Sequence, residues 1–316
     1  MRRCGACAIH RAAAPHRAAH RGVLRLTQEP TIDKRALRRS FDKAAAGYDA
    51  SAVLQHEVCR RMLSRLEYVK HRPAAILDAG SGSGNAVAAL RMRYPRARLC
   101  VLDIAFSMVS RARARAAWWQ RVIGRGVLPI CGDIEQLPLR AAAVDMVWSN
   151  LALQWVNDPQ RAFTEFRRTL APGGLVMFST FGPDTLKELR ASFDGADRYT
   201  HVHRFIDMHD LGDALVHAGF ADPVMDMEYI TLTYADARAL MRDLKAIGAH
   251  NATTGRRPGV STRQMLAVVE HNYEIFRRDG RLPATFEVIY GHGWVPLPRT
   301  TAGGKPVIPI EPQREF

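Results

Sequence analysis

The chain has 316 residues, of which 47% are hydrophobic and 24% are charged, so it has the composition of a globular protein and enough length for one large core. Its 45 Lys and Arg residues outnumber its 31 Asp and Glu residues, and the resulting net charge of +14 predicts an acidic partner. The sequence contains no apolar run of about 18 residues, so no membrane-spanning helix is predicted.

The start of the chain is a basic extension. Its first 26 residues contain six arginines and no acidic residue, and they lack the continuous apolar core of a secretory signal. An organelle presequence would also fit, but we favour a disordered extension over residues 1–30. Cys4 and Cys7 form one CxxC pair, and because no second cysteine pair follows at metal-ligand spacing, no metal site is predicted.

A helical segment with a break near Gly47 is predicted over residues 31–72. From there to residue 233, short apolar runs alternate with amphipathic ones, which predicts parallel crossover units and a doubly wound sheet. Within this core, the stretch "LAPGG" is predicted to end a helix before a strand over residues 175–180.

The remainder of the chain adds helices and one more strand. Two helical patterns within residues 234–282 are extra to a minimal sheet, so they predict a lid inserted before the last strand, residues 283–295. Residues 296–316 are rich in Pro and Gly and are predicted to be a disordered tail.

The stretch "ILDAGSGSGNAVAAL" places Gly80, Gly82 and Gly84 at the end of the first predicted strand, where doubly wound sheets bind ligands. A dinucleotide fingerprint needs its third glycine at the position of Asn85. Asp78 would repel a pyrophosphate, but it suits a ligand that carries an ammonium and a sulfonium group.

Polar residues recur at the next three strand ends. Asp103 is placed to accept hydrogen bonds from ribose hydroxyls, Asp133 from an adenine amino group, and Ile134 to lie against the ring. Asn150 and Leu151 follow the fourth strand. Each acid alone is equally well explained as a helix cap or a solvated loop residue, but their recurrence favours a cofactor site.

These motifs resemble the class I S-adenosylmethionine-dependent methyltransferases, through "LDAGSGSG", "VLDIAFSM", "CGDIEQLPL" and "LAPGG". The resemblance implies an α/β fold: a doubly wound, seven-stranded Rossmann-like sheet with its last strand antiparallel. It also implies S-adenosylmethionine as the cofactor. The implied cofactor residues are Asp78, Gly80, Ser81, Gly82, Gly84, Asp103, Ile104, Met108, Asp133, Ile134, Asn150 and Leu151.

Over roughly residues 36–295 the chain is also similar to the malonyl-acyl-carrier-protein O-methyltransferase family of biotin biosynthesis. The similarity rests on "SFDKAAAGYDASAVLQ", "CGDIEQLPL", "WSNLALQWV", "ALMRDLKAIGAHNATTGRR" and "LPATFEVIYGHGW". It implies cytoplasmic methylation of the free malonyl carboxylate on an acidic acyl carrier protein, with no nucleic acid or membrane as partner.

A malonyl carboxylate is already ionised at neutral pH, so no acid–base residue is predicted, and alignment and desolvation are expected to carry the reaction. Arg256 and Arg257, between the lid helices, are candidates for holding the carboxylate or for meeting the carrier protein. The other candidate substrate residues are Tyr48 and Trp155 as aromatic walls, and His250 and Asn251 as hydrogen-bonding groups.

Two further groups of arginines are interpreted as solvated helix faces or docking charge: Arg60, Arg61, Arg65, Arg111, Arg113 and Arg115. One alternative function comes from "LQWVNDPQRA", "FGPDTLKELR" and "LPATF", which are similar to the mitochondrial complex I assembly factor described as an arginine hydroxylase. A third, an RNA methyltransferase or RNA-binding module, is suggested by the net charge alone.

Overall fold

Seven strands form one sheet in the computed structural model, which describes residues 31–115, 126–196, 199, 201–249, 252–254 and 263–298. The extension predicted over residues 1–30 and most of the predicted tail lie outside the described residues. So do four of the candidate substrate residues: His250, Asn251, Arg256 and Arg257.

The strands are arranged in the order β3-β2-β1-β4-β5-β7-β6. Their bounds are β1 Ala75–Ala79, β2 Arg98–Asp103, β3 Leu128–Cys131, β4 Val144–Asn150, β5 Leu170–Phe181, β6 Ala221–Tyr234 and β7 Leu282–Trp294. The pairs among β1 to β5 are parallel, whereas β7 is antiparallel to both of its neighbours. This confirms the predicted doubly wound sheet with an antiparallel last strand.

Helices cover both faces of the sheet and precede it. Before β1 come α1 Lys34–Ala44, α2 Tyr48–Ser51 and α3 Val53–Arg65. Between strands come α4 Val87–Arg93, α5 Phe106–Ala114, α6 Pro159–Thr169, α7 Lys187–Ser192 and α8 Met208–His217. The helices α9 Ala237–Ala246 and α10 Arg263–Tyr273 lie between β6 and β7, and their role as a lid stays a prediction.

Local sequence accounts for where several of these helices begin. The side chain of Asp33 accepts hydrogen bonds from the amides of Arg35 and Ala36 at the start of α1. Asp158 caps α6 in the same way, and Pro159 takes the first helical position, where its missing amide hydrogen costs nothing.

The stretch "LAPGG" differs from its prediction. Helix α6 ends at Thr169, and β5 begins directly at Leu170, because residues 170–174 already belong to the strand. The pairing with β4 shifts register there, since Val144 faces Leu170 while Met146 faces Leu175. The Pro and Gly residues of this stretch therefore lie at a bulge within β5, not in a loop before it.

The core lies on both faces of the sheet, and all five residues of β1 are buried. One face packs Trp148 with residues of α3 and β7, and the other packs Phe163, Phe166 and Phe178. Within the described residues, no helix is both long and apolar enough to cross a membrane.

Candidate active site

A cavity of 320 Å³ lies at the carboxyl ends of the parallel strands, the position that this sheet topology reserves for ligands. Its lining comes from the loop after β1, from α1 to α3, from the segment after β5 and from α9. All of the predicted cofactor residues except Gly84 line it, and so do Tyr48 and Trp155.

Two glycines of the loop after β1 are needed for different contacts. Gly80 has φ +79°, and a side chain there would overlap Ala152, so the loop and the segment after β4 approach each other closely. Gly84 has φ +86°, and a Cβ there would lie 2.7 Å from the Cα of Ala112 in α5. Gly84 therefore serves the packing of the loop on α5 and does not line the cavity.

Asp78 is a buried carboxyl in the cavity wall, and its Oδ2 has no hydrogen-bond partner within the described structure. Burial, together with the neighbouring Asp103, raises the pKa of Asp78 to about 8. A ligand ammonium would satisfy this oxygen and favour the ionised carboxylate.

Four more buried polar atoms share the same cavity without a partner in the described residues. They are Ser81 Oγ, Asn85 Nδ2, Gln55 Oε1 and His56 Nε2. The last two lie on α3 and were not predicted from the sequence. Because buried polar atoms are nearly always hydrogen-bonded, this cluster indicates a ligand rich in donors and acceptors.

Asp103 is the last residue of β2, and hydrogen bonds from two backbone amides fix the orientation of its carboxyl group. Its Oδ2 accepts a hydrogen bond from the amide of Gly82 and its Oδ1 one from the amide of Ala105, both at 2.9 Å. Burial raises its pKa to about 6, although these amides act in the opposite direction. Each oxygen keeps the capacity for a further hydrogen bond, as two neighbouring ribose hydroxyls would require.

Asp133, predicted to meet an adenine amino group, has a partner that the sequence did not indicate. Lys34, at the start of α1, places its Nζ 3.0 Å from Asp133 Oδ1 and also pairs with Glu135. Glu135 in turn accepts hydrogen bonds from the amides of Asn157 and Asp158. The N-terminal helices are thus tied to the end of the third strand.

Aromatic side chains form another part of the lining. Tyr48 lies over the glycine loop, with its ring 3.8 Å from the position of a Cβ on Gly82. Burial raises the pKa of Tyr48 above its usual range. Trp155 makes edge contacts with Phe41 and His203, at ring-centroid distances of 5.5 and 5.3 Å.

His203 was missed by sequence reasoning, because an isolated histidine between helices carries no motif. Burial lowers its pKa to about 4, so the ring is neutral at pH 7. Its Nε2 accepts a hydrogen bond from the amide of Ala252 at 3.3 Å. His203 thus connects the wall around Trp155 to the chain that follows α9.

Asn150 and Leu151 lie in the wall where β4 ends. Asn150 Nδ2 donates to the carbonyl of Gln55 at 3.2 Å, and its Oδ1 accepts from Ser179 Oγ at 2.9 Å. Leu151 is buried with φ +49°, an uncommon backbone conformation for a branched residue. The end of β4 therefore positions α3 against the cavity.

Most of the arginines considered for docking have partners within the chain. Arg60 and Arg61 pair with Glu57, Arg61 also pairs with Glu228, Arg65 pairs with Asp226, and Arg115 pairs with Asp49. Arg111 donates to the carbonyl of Ala46. Their charge is therefore largely compensated inside the molecule.

Comparison with known proteins gives consistent results. A family model described as a methyltransferase domain matches residues 77–178. A protein of Gallionella capsiferriformans named malonyl-[acyl-carrier protein] O-methyltransferase is 57% identical over 281 residues, which are 89% of this chain and 97% of that protein. A protein of the same name from Nitrosospira multiformis is 56% identical and covers 85% of this chain and 92% of its own length.

Among solved structures, a candidate methyltransferase from Bacillus halodurans superposes with a TM-score of 0.52. The match covers 74% of this chain and 97% of the other, and the two sequences are 18% identical. At that identity the likeness shows a shared fold.

Proposed function

Because the chain belongs to the malonyl-[acyl-carrier protein] O-methyltransferase family, we propose that it methylates the free carboxylate of malonyl on an acyl carrier protein, with S-adenosylmethionine as methyl donor. The product is the methyl ester, an early intermediate of pimeloyl formation in biotin biosynthesis. The observation that most directly supports a cationic methyl donor is Asp78 Oδ2, a buried carboxyl oxygen without a partner in the described residues, since a ligand ammonium would satisfy it and favour its ionised form.

The lining residues fit S-adenosylmethionine, which supplies a methyl group activated by its positive sulfonium. Asp78 would hold the ammonium, and Asp103 would accept hydrogen bonds from the ribose hydroxyls. Ile134 and Met108 offer apolar surface for the adenine ring, with Asp133 close to Ile134 in the chain. Gly80 and Gly82, which have no side chains, would let the backbone of the loop approach the donor.

The chain's contribution to methyl transfer is alignment and exclusion of water, since an ionised malonyl carboxylate needs no general base. Tyr48, Trp155 and Phe41 line the cavity with aromatic surface, which also stabilises a nearby cation. The neutral His203 adds no charge there. Arg256 and Arg257 remain our candidates for holding the carboxylate, and His250 and Asn251 for the thioester.

The two alternative functions receive no support from the relatives, which carry the same methyltransferase name. We also propose that the enzyme acts in the cytoplasm. Cys59, Cys100 and Cys131 are free thiols, as expected in a reducing compartment.

Mass spectrometry of malonyl carrier protein incubated with the enzyme and S-adenosylmethionine tests the proposal. We expect the carrier to gain the mass of one methyl ester. Acetyl carrier protein is the matched control, because it has the same thioester but no free carboxylate. If the enzyme binds S-adenosylmethionine and leaves malonyl carrier protein unmodified, the methyl acceptor is wrong.

A further inference from the structure

The outer face of α1 carries a row of exposed cations: Arg35, Arg39 and Lys43. Their spacing of four residues places them one above the next along the helix, roughly 5–6 Å apart. None of the three pairs with a carboxylate in the part of the chain that the structure describes. We refer to these residues as the α1 cation row.

The opposite face of α1 is part of the cavity wall. Leu37 and Phe41 line the cavity, and Ser40 Oγ donates to the carbonyl of Gly248 at 2.9 Å. The α1 cation row is therefore separated from the cavity by the thickness of one helix, about 10 Å.

The opening of the cavity lies beside α1. Of the residues that line the cavity, Val53 and Lys245 are the exposed ones, so the rim includes the start of α3 and the end of α9. The amide of Gly248 donates to the carbonyl of Lys245, and a Cβ on Gly248 would lie 3.2 Å from the Cβ of Ala44. Lys245 thus extends the basic surface from the end of α1 to the rim.

This surface differs from the other arginine groups of the molecule. The arginines of α3 and Arg115 beyond α5 are paired with carboxylates, whereas the α1 cation row has no such pair among the described residues. Uncompensated cations beside an opening attract an acidic partner and orient its approach.

We propose that the α1 cation row, together with Lys245, is the surface on which an acidic carrier protein docks, with its thioester arm entering between α3 and α9. This inference rests on the proposed function, from which the carrier protein follows as the partner. It assigns docking to α1, a segment distinct from the arginines selected from the sequence.

The test is the triple variant R35A/R39A/K43A, assayed with malonyl carrier protein at low salt. We expect KM for the carrier protein to rise about tenfold, because each lost charge weakens encounter with an acidic surface. Turnover at saturation and the affinity for S-adenosylmethionine should stay at the wild-type values. Added salt should raise KM of the wild type more than KM of the variant.

The matched control is R96A/R98A/R140A, which removes the same charge from exposed arginines at the start of β2 or just before β2 and β4, at the end of the sheet opposite the cavity. It should leave KM unchanged, and the charge-preserving variant R35K/R39K/K43R should restore it. Equal KM values for the test and control triples would overturn the docking assignment. So would binding of single-stranded RNA that is lost in R35A/R39A/K43A while KM for the carrier protein is unchanged.

Failure of the proposed function would look different. In that case the wild-type enzyme itself would leave malonyl carrier protein unmethylated at every salt concentration. Wild-type methylation with an unaffected R35A/R39A/K43A variant would instead reject only the docking surface.

Discussion

Individual polar atoms in the cavity wall determine which kind of ligand the cavity favours. A buried polar atom without a partner costs about 1–3 kcal/mol, and within the described residues Asp78, Ser81, Asn85, Gln55 and His56 each contribute one such atom to the same cavity. A bound ligand that satisfies them recovers this free energy. These atoms therefore favour a ligand that offers each of them a hydrogen-bond partner.

Gly84→Ala should lower the free energy of unfolding by about 2–3 kcal/mol, because alanine is strained at φ +86° and its Cβ would press on the Cα of Ala112. Gly280→Ala is the matched control, since its φ is +74° but a Cβ there meets nothing within 4 Å. The control should cost about 1 kcal/mol. Urea denaturation measures both, and equal losses would show that the contact with α5 contributes nothing.

At the scale of elements, the N-terminal helices form the outer wall of the cavity. α1 is tied to the third strand end through Lys34, and α3 is tied to β6 through the pairs of Arg61 with Glu228 and Arg65 with Asp226. These contacts join segments far apart in sequence. They determine how closely the wall covers a ligand.

Lys34→Met should loosen α1, because Asp133 and Glu135 would lose their shared cation. We expect a loss of about 1–2 kcal/mol in unfolding free energy, together with faster amide hydrogen exchange along α1. Arg38→Met is the control, since Arg38 is exposed and lies 3.8 Å from its partner Asp42. Identical exchange rates in the two variants would mean that Lys34 does not hold α1 in place.

At the scale of the whole molecule, stability depends on pH through the two cavity carboxyls. Their folded-state pKa values, about 8 for Asp78 and about 6 for Asp103, exceed the usual value of 3.8, so the folded protein retains protons that the unfolded chain releases. Their contribution to stability is complete below pH 3.8 and is lost as pH rises to about 8. The lowered pKa of His203 has the opposite effect: it makes the folded protein more stable as the pH rises from about 4 to 6.5.

The difference in unfolding free energy between wild type and Asp78→Asn isolates the contribution of Asp78. Without ligand, the wild type should lose stability relative to the variant between pH 6 and 8, by on the order of a few kcal/mol. Because a ligand ammonium favours the ionised carboxylate, S-adenosylmethionine should stabilise the wild type more at pH 8 than at pH 6. Parallel stability curves for the two proteins would refute the raised pKa.

The sequence predicts those features of the site that are encoded locally. Asp78, Gly80 and Asp103 follow apolar runs directly, and the strand ends of a doubly wound sheet meet at one edge, so pattern and topology together locate them. Lys34 is 99 residues from Asp133, and His203 has no motif, so their positions depend on tertiary packing. The bulge in β5 was missed because Pro and Gly suggest a loop when read locally.

The placement of β7 between β5 and β6 has a consequence for how the chain is made. Among the described strands, β6 forms its ladder with β7, which follows it in the chain, so residues 221–234 lack this partner while α9 and α10 are being synthesised. By contrast, each of the strands β2 to β5 pairs with a parallel strand that precedes it in the chain. Closure of the described sheet awaits β7, and until then the nascent chain exposes an unpaired edge that favours aggregation or chaperone binding.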